Sequence, residues 1–150
     1  FGSVVVPRFA RLDRPLAMLR VIYFGIALAI ALIGGLATIF TGLIPEVVLA
    51  LLGPNYSTLT LEVVLVVASA STGLLKDCGF GLAAARGWIV APLISIPVSI
   101  ASQAAGMVIF DFSSVAGVLS ISILNNAITF ITIGTYVFLK TTSPQSIQFK

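Results

Sequence analysis

From Val21 to Leu75 the sequence is almost continuously apolar, and its main breaks are Pro45-Glu46 and Gly53-Pro54-Asn55. No single membrane span accommodates such a run. A helix from Leu19 to Leu52 would be about 50 Å long at 1.5 Å per residue, against a hydrocarbon core about 30 Å thick. The chain must therefore turn at the membrane surface. Gly42 and Pro45 permit a break where the first span reaches the interface. Pro45 suits the first position of a new helix, and Glu46 complements that helix's positive end. Ile44, Val47, Val48, Leu51 and Leu52 then recur at helical spacing. Gly53 is suited to closing this short helix in a left-handed conformation, and Pro54 prevents its continuation. Tyr56 fits the headgroup level, and Ser57 is placed to cap the next span. The stretch reads as an elbow on the outer surface.

The composition agrees with a membrane environment. Only 9% of the 150 residues are charged and 59% are hydrophobic, whereas a soluble domain carries roughly a quarter charged residues. So little charge leaves a water-facing surface uncovered. A secretory signal would account for one short apolar region near a methionine start, but here apolar segments recur to the end. The chain opens Phe1-Gly2-Ser3 without an initiator methionine and reads as a fragment, so the partner half of any site is expected elsewhere. The single Cys78 excludes an internal disulfide, and histidine is absent. That removes the usual zinc sites and histidine-based acid–base pairs and triads. There is no phosphate-binding glycine loop and no G-x-S-x-G nucleophile turn. No enzyme activity, metal, cofactor or nucleic-acid partner is expected.

Four stretches are long and apolar enough to cross a bilayer: 21–43, 58–75, 88–110 and 115–139. The second is short, and its helix can continue through Lys76 and Asp77 towards Arg86. Residues 1–6 read as the possible end of a preceding span. The runs lack the period-2 alternation of barrel strands. The expected fold is all-α: a polytopic membrane bundle of four complete spans plus a short outer interfacial helix, in one domain. Arg8, Arg11, Arg14 and Arg20 precede the first span, Lys76 and Arg86 follow the second, and Lys140 and Lys150 follow the fourth. All eight basic residues thus fall on one side. The positive-inside rule makes that side cytoplasmic, with residues 140–150 as a cytoplasmic tail. The net charge of +3 is explained by this placement. The outer loops, 44–57 and 111–114, hold only Glu46 and Asp111.

The elbow carries a resemblance as well as a turn. Pro45 through Leu52 followed by Gly53-Pro54-Asn55-Tyr56 resembles the proline, apolar turn and G-x-x-Y signature of polysaccharide flippases. These belong to the multidrug/oligosaccharidyl-lipid/polysaccharide exporter superfamily, which includes O-antigen and lipid-linked oligosaccharide flippases. Upstream, Val6-Pro7-Arg8-Phe9-Ala10-Arg11-Leu12 is similar to the basic segment that follows an earlier span in these transporters. Near Phe110 to Leu119 only Gly117 fits a third family pattern, with Ser113-Ser114 in place of a glycine. The resemblance implies the last four helices of a C-terminal six-helix lobe. It also implies a partner N-terminal lobe, a central cavity, and alternating access in the inner membrane of the cell. Its rivals are a multidrug cation antiporter of the same superfamily and a membrane assembly subunit without transport activity.

Several side chains carry two readings each. In the fourth span Ser122, Asn125, Thr129, Thr132 and Tyr136 share one helical face. They serve either as interhelical hydrogen-bond glue or as a polar wall of the substrate path. In the first span Ala27, Ala31 and Gly35, with the adjacent Gly34, form a small-residue seam for close helix contact. Pro92 and Pro97, followed by Ser99, Ser102 and Gln103, are static kinks or hinges, and Pro45 and Gly53 are hinge candidates at the elbow. Glu62, about one turn inside the second span, is the candidate for ion coupling, or it reaches for headgroups. The basic residues act as inner anchors facing membrane lipids. Cys78 reads as a small buried apolar residue.

This topology predicts a labelling pattern in a chain whose Cys78 has been replaced. A cysteine at Asn55 should react with an impermeant thiol reagent added to intact cells, and one at Ser146 should remain unlabelled. The reverse pattern contradicts the assignment.

Overall fold

A computed structural model describes residues 2, 4–52 and 59–142. Those residues form an all-α polytopic bundle. Its four long apolar helices are α2 (Leu16–Leu43), α4 (Thr60–Ala84), α5 (Pro92–Ile109) and α6 (Val115–Thr142). Two short helices accompany them, α1 (Val5–Ala10) and α3 (Pro45–Leu52). Gly53 and the rest of the expected G-x-x-Y segment through Tyr56, the capping Ser57 and the tail beyond Thr142 lie outside the described residues.

The elbow forms where the sequence places it. Helix α2 stops at Leu43, and Ile44 takes a non-helical conformation at φ −133° and ψ 61°. A proline disfavours the helical conformation in the residue before it. Pro45 then opens α3, with Glu46 in the first turn, where its charge complements the helix dipole.

The other boundaries differ from hydropathy in instructive ways. The first long helix begins at Leu16, ahead of the apolar run, so Arg20 stands inside it and not before it. Helix α4 continues through Lys76 and Asp77 to Ala84. It ends in a Schellman turn: the Trp88 amide donates to the Ala83 carbonyl at 2.9 Å, and the Gly87 amide to Ala84 at 3.0 Å. Gly87 supplies the left-handed residue at φ 68°, a conformation that costs other residues about 1–2 kcal/mol. Trp88 to Ala91, apolar enough to be counted in the third span, are consequently a non-helical link. Helix α5 starts at Pro92, a first position where the missing amide costs no helical bond. Helix α6 is capped by Ser114, whose hydroxyl accepts from the Gly117 amide at 3.0 Å. Before it, the Ser113 hydroxyl and amide both donate to the Asp111 carboxylate, at 2.7 and 3.0 Å. These bonds hold the Asp111 carboxyl below the usual carboxylate range.

Helix α4 packs between α2 and α6, which also meet each other directly, and α6 carries α5 on its other flank. Among the described residues α5 packs on α6 alone, while α3 rests on α4 and the end of α2. The most buried apolar cluster sits at one end of this row. Phe9, Leu19, Tyr23, Leu82, Trp88, Val90, Ile133 and Val137 bring together α1, the start of α2 and the ends of α4 and α6. Arg20 donates to Thr142 at 2.7 Å and lies 5.0 Å from the centre of the Phe138 ring. Arg86 donates to the Leu12 carbonyl and lies over Phe9 at 5.5 Å. Phe9 in turn meets Trp88 edge-on at 6.3 Å. Arg8, Arg11, Arg14, Arg20, Arg86 and Lys140 thus gather at this basic end, and the α3 elbow lies at the other.

Replacing Gly87 with alanine should lower the unfolding free energy by about 1–2 kcal/mol, because alanine must take the left-handed conformation. Gly35 is the matched control, since a Cβ added there would meet nothing within 4 Å. Gly35→Ala should leave stability unchanged or raise it by up to about 1 kcal/mol. Detergent-titration unfolding followed by circular dichroism measures both.

Candidate functional site

In a membrane helix hydroxyls and amides have no water to satisfy them, so their partners reveal what the helix packs against. The polar face expected on α6 turns towards α4 and α5. Ser122 accepts a hydrogen bond from Ser69 of α4 at 3.1 Å. Asn125 presents Oδ1 to α5, where Ser102 donates to it at 2.6 Å and Ser99 lies at 3.3 Å. The Ser102 hydroxyl also lies 2.9 Å from the Ser99 carbonyl, and its single proton serves one acceptor at a time. Thr132 returns its hydroxyl to the Ile128 carbonyl of its own helix at 2.9 Å. Tyr136 packs against the apolar cluster at the basic end.

Thr129 and Thr132 have a second environment. Helices α4 and α5 both flank α6, and no Cα of one comes within 8 Å of a Cα of the other, which leaves a cleft between them with α6 as its floor. A cavity of about 120 Å³ occupies the basic half of this cleft. Phe80, Trp88, Ser95, Val98, Thr129 and Thr132 line it. Of the four substrate-path candidates, Ser122 and Asn125 therefore engage neighbouring helices, and Thr129 and Thr132 line the cleft. The four share one helix face but not one chamber.

The small-residue seam is also more selective than its spacing indicates. Ala27 is buried, but Ala31 and Gly35 are exposed. The close approach is made by Gly34, where an added Cβ would lie 2.8 Å from the Ser71 side chain. Ser71 donates to the Gly34 carbonyl at 3.3 Å. Three further residues escape a reading of the sequence. Asn126 is buried beside Gly73 of α4, and adjacent amides in an apolar helix are the signal for it. Gly79 leaves room for the Phe130 ring and the Tyr23 hydroxyl, which would stand 3.0 and 3.1 Å from a Cβ. That hydroxyl is buried without a partner among the described residues.

Glu62 sits in the first turn of α4, where a carboxylate complements the helix dipole. Asp77 lies 3.2 Å from Lys76. Asp13, Glu46 and Asp111 occupy the α1–α2 link, the start of α3 and the α5–α6 loop. The middle of the bundle therefore contains no carboxylate among the described residues. No group of metal-binding side chains is present among them either. Pro92 opens α5, and Pro97 lies inside it, leaving the Leu93 carbonyl without an amide donor from that position. Pro45 marks the elbow, while its partner Gly53 lies outside the described residues. No family model, curated protein or solved structure matches this chain.

Asn125→Leu removes the acceptor used by Ser99 and Ser102, and interhelical bonds of this kind average about 0.6 kcal/mol with a maximum near ~1.7. We expect a loss within that range, and a smaller additional loss from Ser102→Ala in the Asn125→Leu background than in the wild type. A double-mutant cycle in detergent unfolding measures the coupling. Additive losses contradict the bond.

Proposed function

We propose that this chain is part of a polytopic transporter that flips a lipid-linked oligosaccharide or polysaccharide precursor across the cytoplasmic membrane. The lobes rock around a central cavity by alternating access, and no covalent chemistry is involved. The sequence resemblance at the elbow supplies the substrate class. The two-sided arrangement agrees with it: an interfacial helix at one end and a basic end opposite, assigned to the cytoplasm.

The observation that carries the choice between exporters is where the acids lie. Proton-coupled drug export needs a carboxylate whose charge changes during the cycle, shielded from bulk water. All five acidic residues of this chain lie in links, in first helical turns or beside Lys76. Glu62 is no exception, since the first turn of α4 is its place. This chain therefore contributes packing and a polar helix face, and not a buried carboxylate. In such a chain Thr129 and Thr132 are the side chains left to face a moving substrate or a neighbouring helix.

Glu62→Gln in the full-length protein should leave glycan export and membrane abundance little changed. Complementation of a flippase-deficient strain, normalised to expression and run beside a drug-resistance assay, tests this. Loss of drug efflux with no glycan phenotype replaces the flippase with the antiporter.

A further inference from the structure

The cleft between α4 and α5 has a composition that matches one kind of molecule. Its floor is α6, and its walls are apolar except for the hydroxyls of Ser95, Thr129 and Thr132. Because no Cα of α4 comes within 8 Å of one of α5, the cleft between them stays open along one side. Trp88 closes the basic end and is only 7% exposed. The same indole packs edge-on against Phe9 of α1, so a single side chain is the wall shared by the cleft and the basic segment. Phe9 is flanked in sequence by Arg8 and, two residues on, by Arg11. Both arginines are exposed, and neither meets a carboxylate among the described residues; the one ion pair there joins Lys76 to Asp77. Arg86 is differently employed, with one guanidinium nitrogen on the Leu12 carbonyl and its face on Phe9. It fixes the basic segment against the Schellman turn and leaves Arg8 and Arg11 to face outward.

An apolar slot and exposed positive charge thus stand on the two sides of one tryptophan. The slot runs from Trp88 into the apolar length of the bundle, and the charge lies at the basic end. We propose that this is a binding site for an anionic phospholipid, with an acyl chain in the α4–α5 cleft and the phosphate on Arg8 and Arg11. Ser95, one turn into α5 from Pro92, stands about 5 Å below the helix start, the level at which a lipid's ester oxygens meet its chains. Charge complementarity selects an anionic headgroup, since arginines near a membrane surface attract anionic lipid and their planar forks match phosphate oxygens. The site belongs to the packing of α1, α4, α5 and α6. It stands whether or not the chain moves a glycan.

The test uses the purified full chain, stripped of lipid in detergent and titrated with phosphatidylglycerol or phosphatidylcholine of equal chain length, with retention read by native mass spectrometry. Phosphatidylglycerol should be retained at least about tenfold better. Arg8→Gln with Arg11→Gln should bring it to the phosphatidylcholine level, while Arg8→Lys with Arg11→Lys keeps most of the preference. Ser95→Leu, which fills the slot, should weaken both lipids, and Val98→Phe provides the same obstruction if that variant does not fold. Equal retention of the two lipids by the wild type overturns the proposal. So does a preference that survives loss of both arginines, or full retention with the slot filled. Displacement of phosphatidylglycerol by inorganic phosphate at equal concentration places the ligand outside the cleft and overturns it too. A Ser95→Cys chain lacking Cys78 that cross-links to a second copy puts protein, not lipid, in the slot.

Discussion

In the hydrocarbon of a bilayer each backbone amide must find its acceptor within its own helix, and the rest of this architecture follows. Once the backbone is committed to long helices, burial of apolar side chains no longer drives those helices together, because lipid is as apolar as leucine. Close packing and a few polar contacts must do so. The described helices are joined accordingly. Gly34 lets α2 approach Ser71 of α4, Gly79 admits Phe130 and Tyr23, and Ser69 bonds to Ser122. Asn125 collects the serines of α5. Gly106 of α5 brings that helix against Ile121, which would stand 3.0 Å from a Cβ there.

The two ends of the bundle solve a different problem. At the elbow the chain has to stop one helix and start another without crossing water-free space, and Pro45 does both. At the basic end the chain uses bulk instead. Phe9, Tyr23, Leu82, Trp88 and Val137 form a dense cluster, roofed by guanidinium groups that lie on aromatic rings. Arginine suits this position because its stem and planar face tolerate apolar surroundings while its nitrogens reach polar partners. The Schellman turn at Gly87 is what aims Trp88 back into that cluster.

Features governed by local chemistry are legible in the sequence. The elbow is readable because proline acts on its immediate neighbour, and the continuation of α4 past Lys76 because nothing there breaks a helix. Hydropathy misplaces the start of α5. Trp88 to Ala91 are apolar, yet Gly87 and Pro92 on either side define a link, and those two residues outrank the side chains between them. Periodicity finds the polar face of α6 but not its division. Whether Asn125 meets α5 while Ser122 meets α4 depends on which helices neighbour α6, and no pattern within α6 encodes its neighbours. The same holds for Gly34 and Gly35: they are adjacent, and only the approach of α4 selects the first. The cleft is invisible for the same reason, since it is a gap between the backbones of two helices that follow one another in sequence.

The arrangement of α5 on α6, away from α4, is the claim on which the polar seam and the cleft both stand. Intramolecular cysteine cross-linking in reconstituted bilayers tests it most directly, in a chain lacking Cys78. Cysteines replacing Ser102 of α5 and Asn125 of α6, whose side chains meet at 2.6 Å, should form a disulfide under mild oxidation. Cysteines replacing Leu74 of α4 and Ile100 of α5, both exposed, should not. A disulfide between the second pair with none between the first would contradict the fold described here.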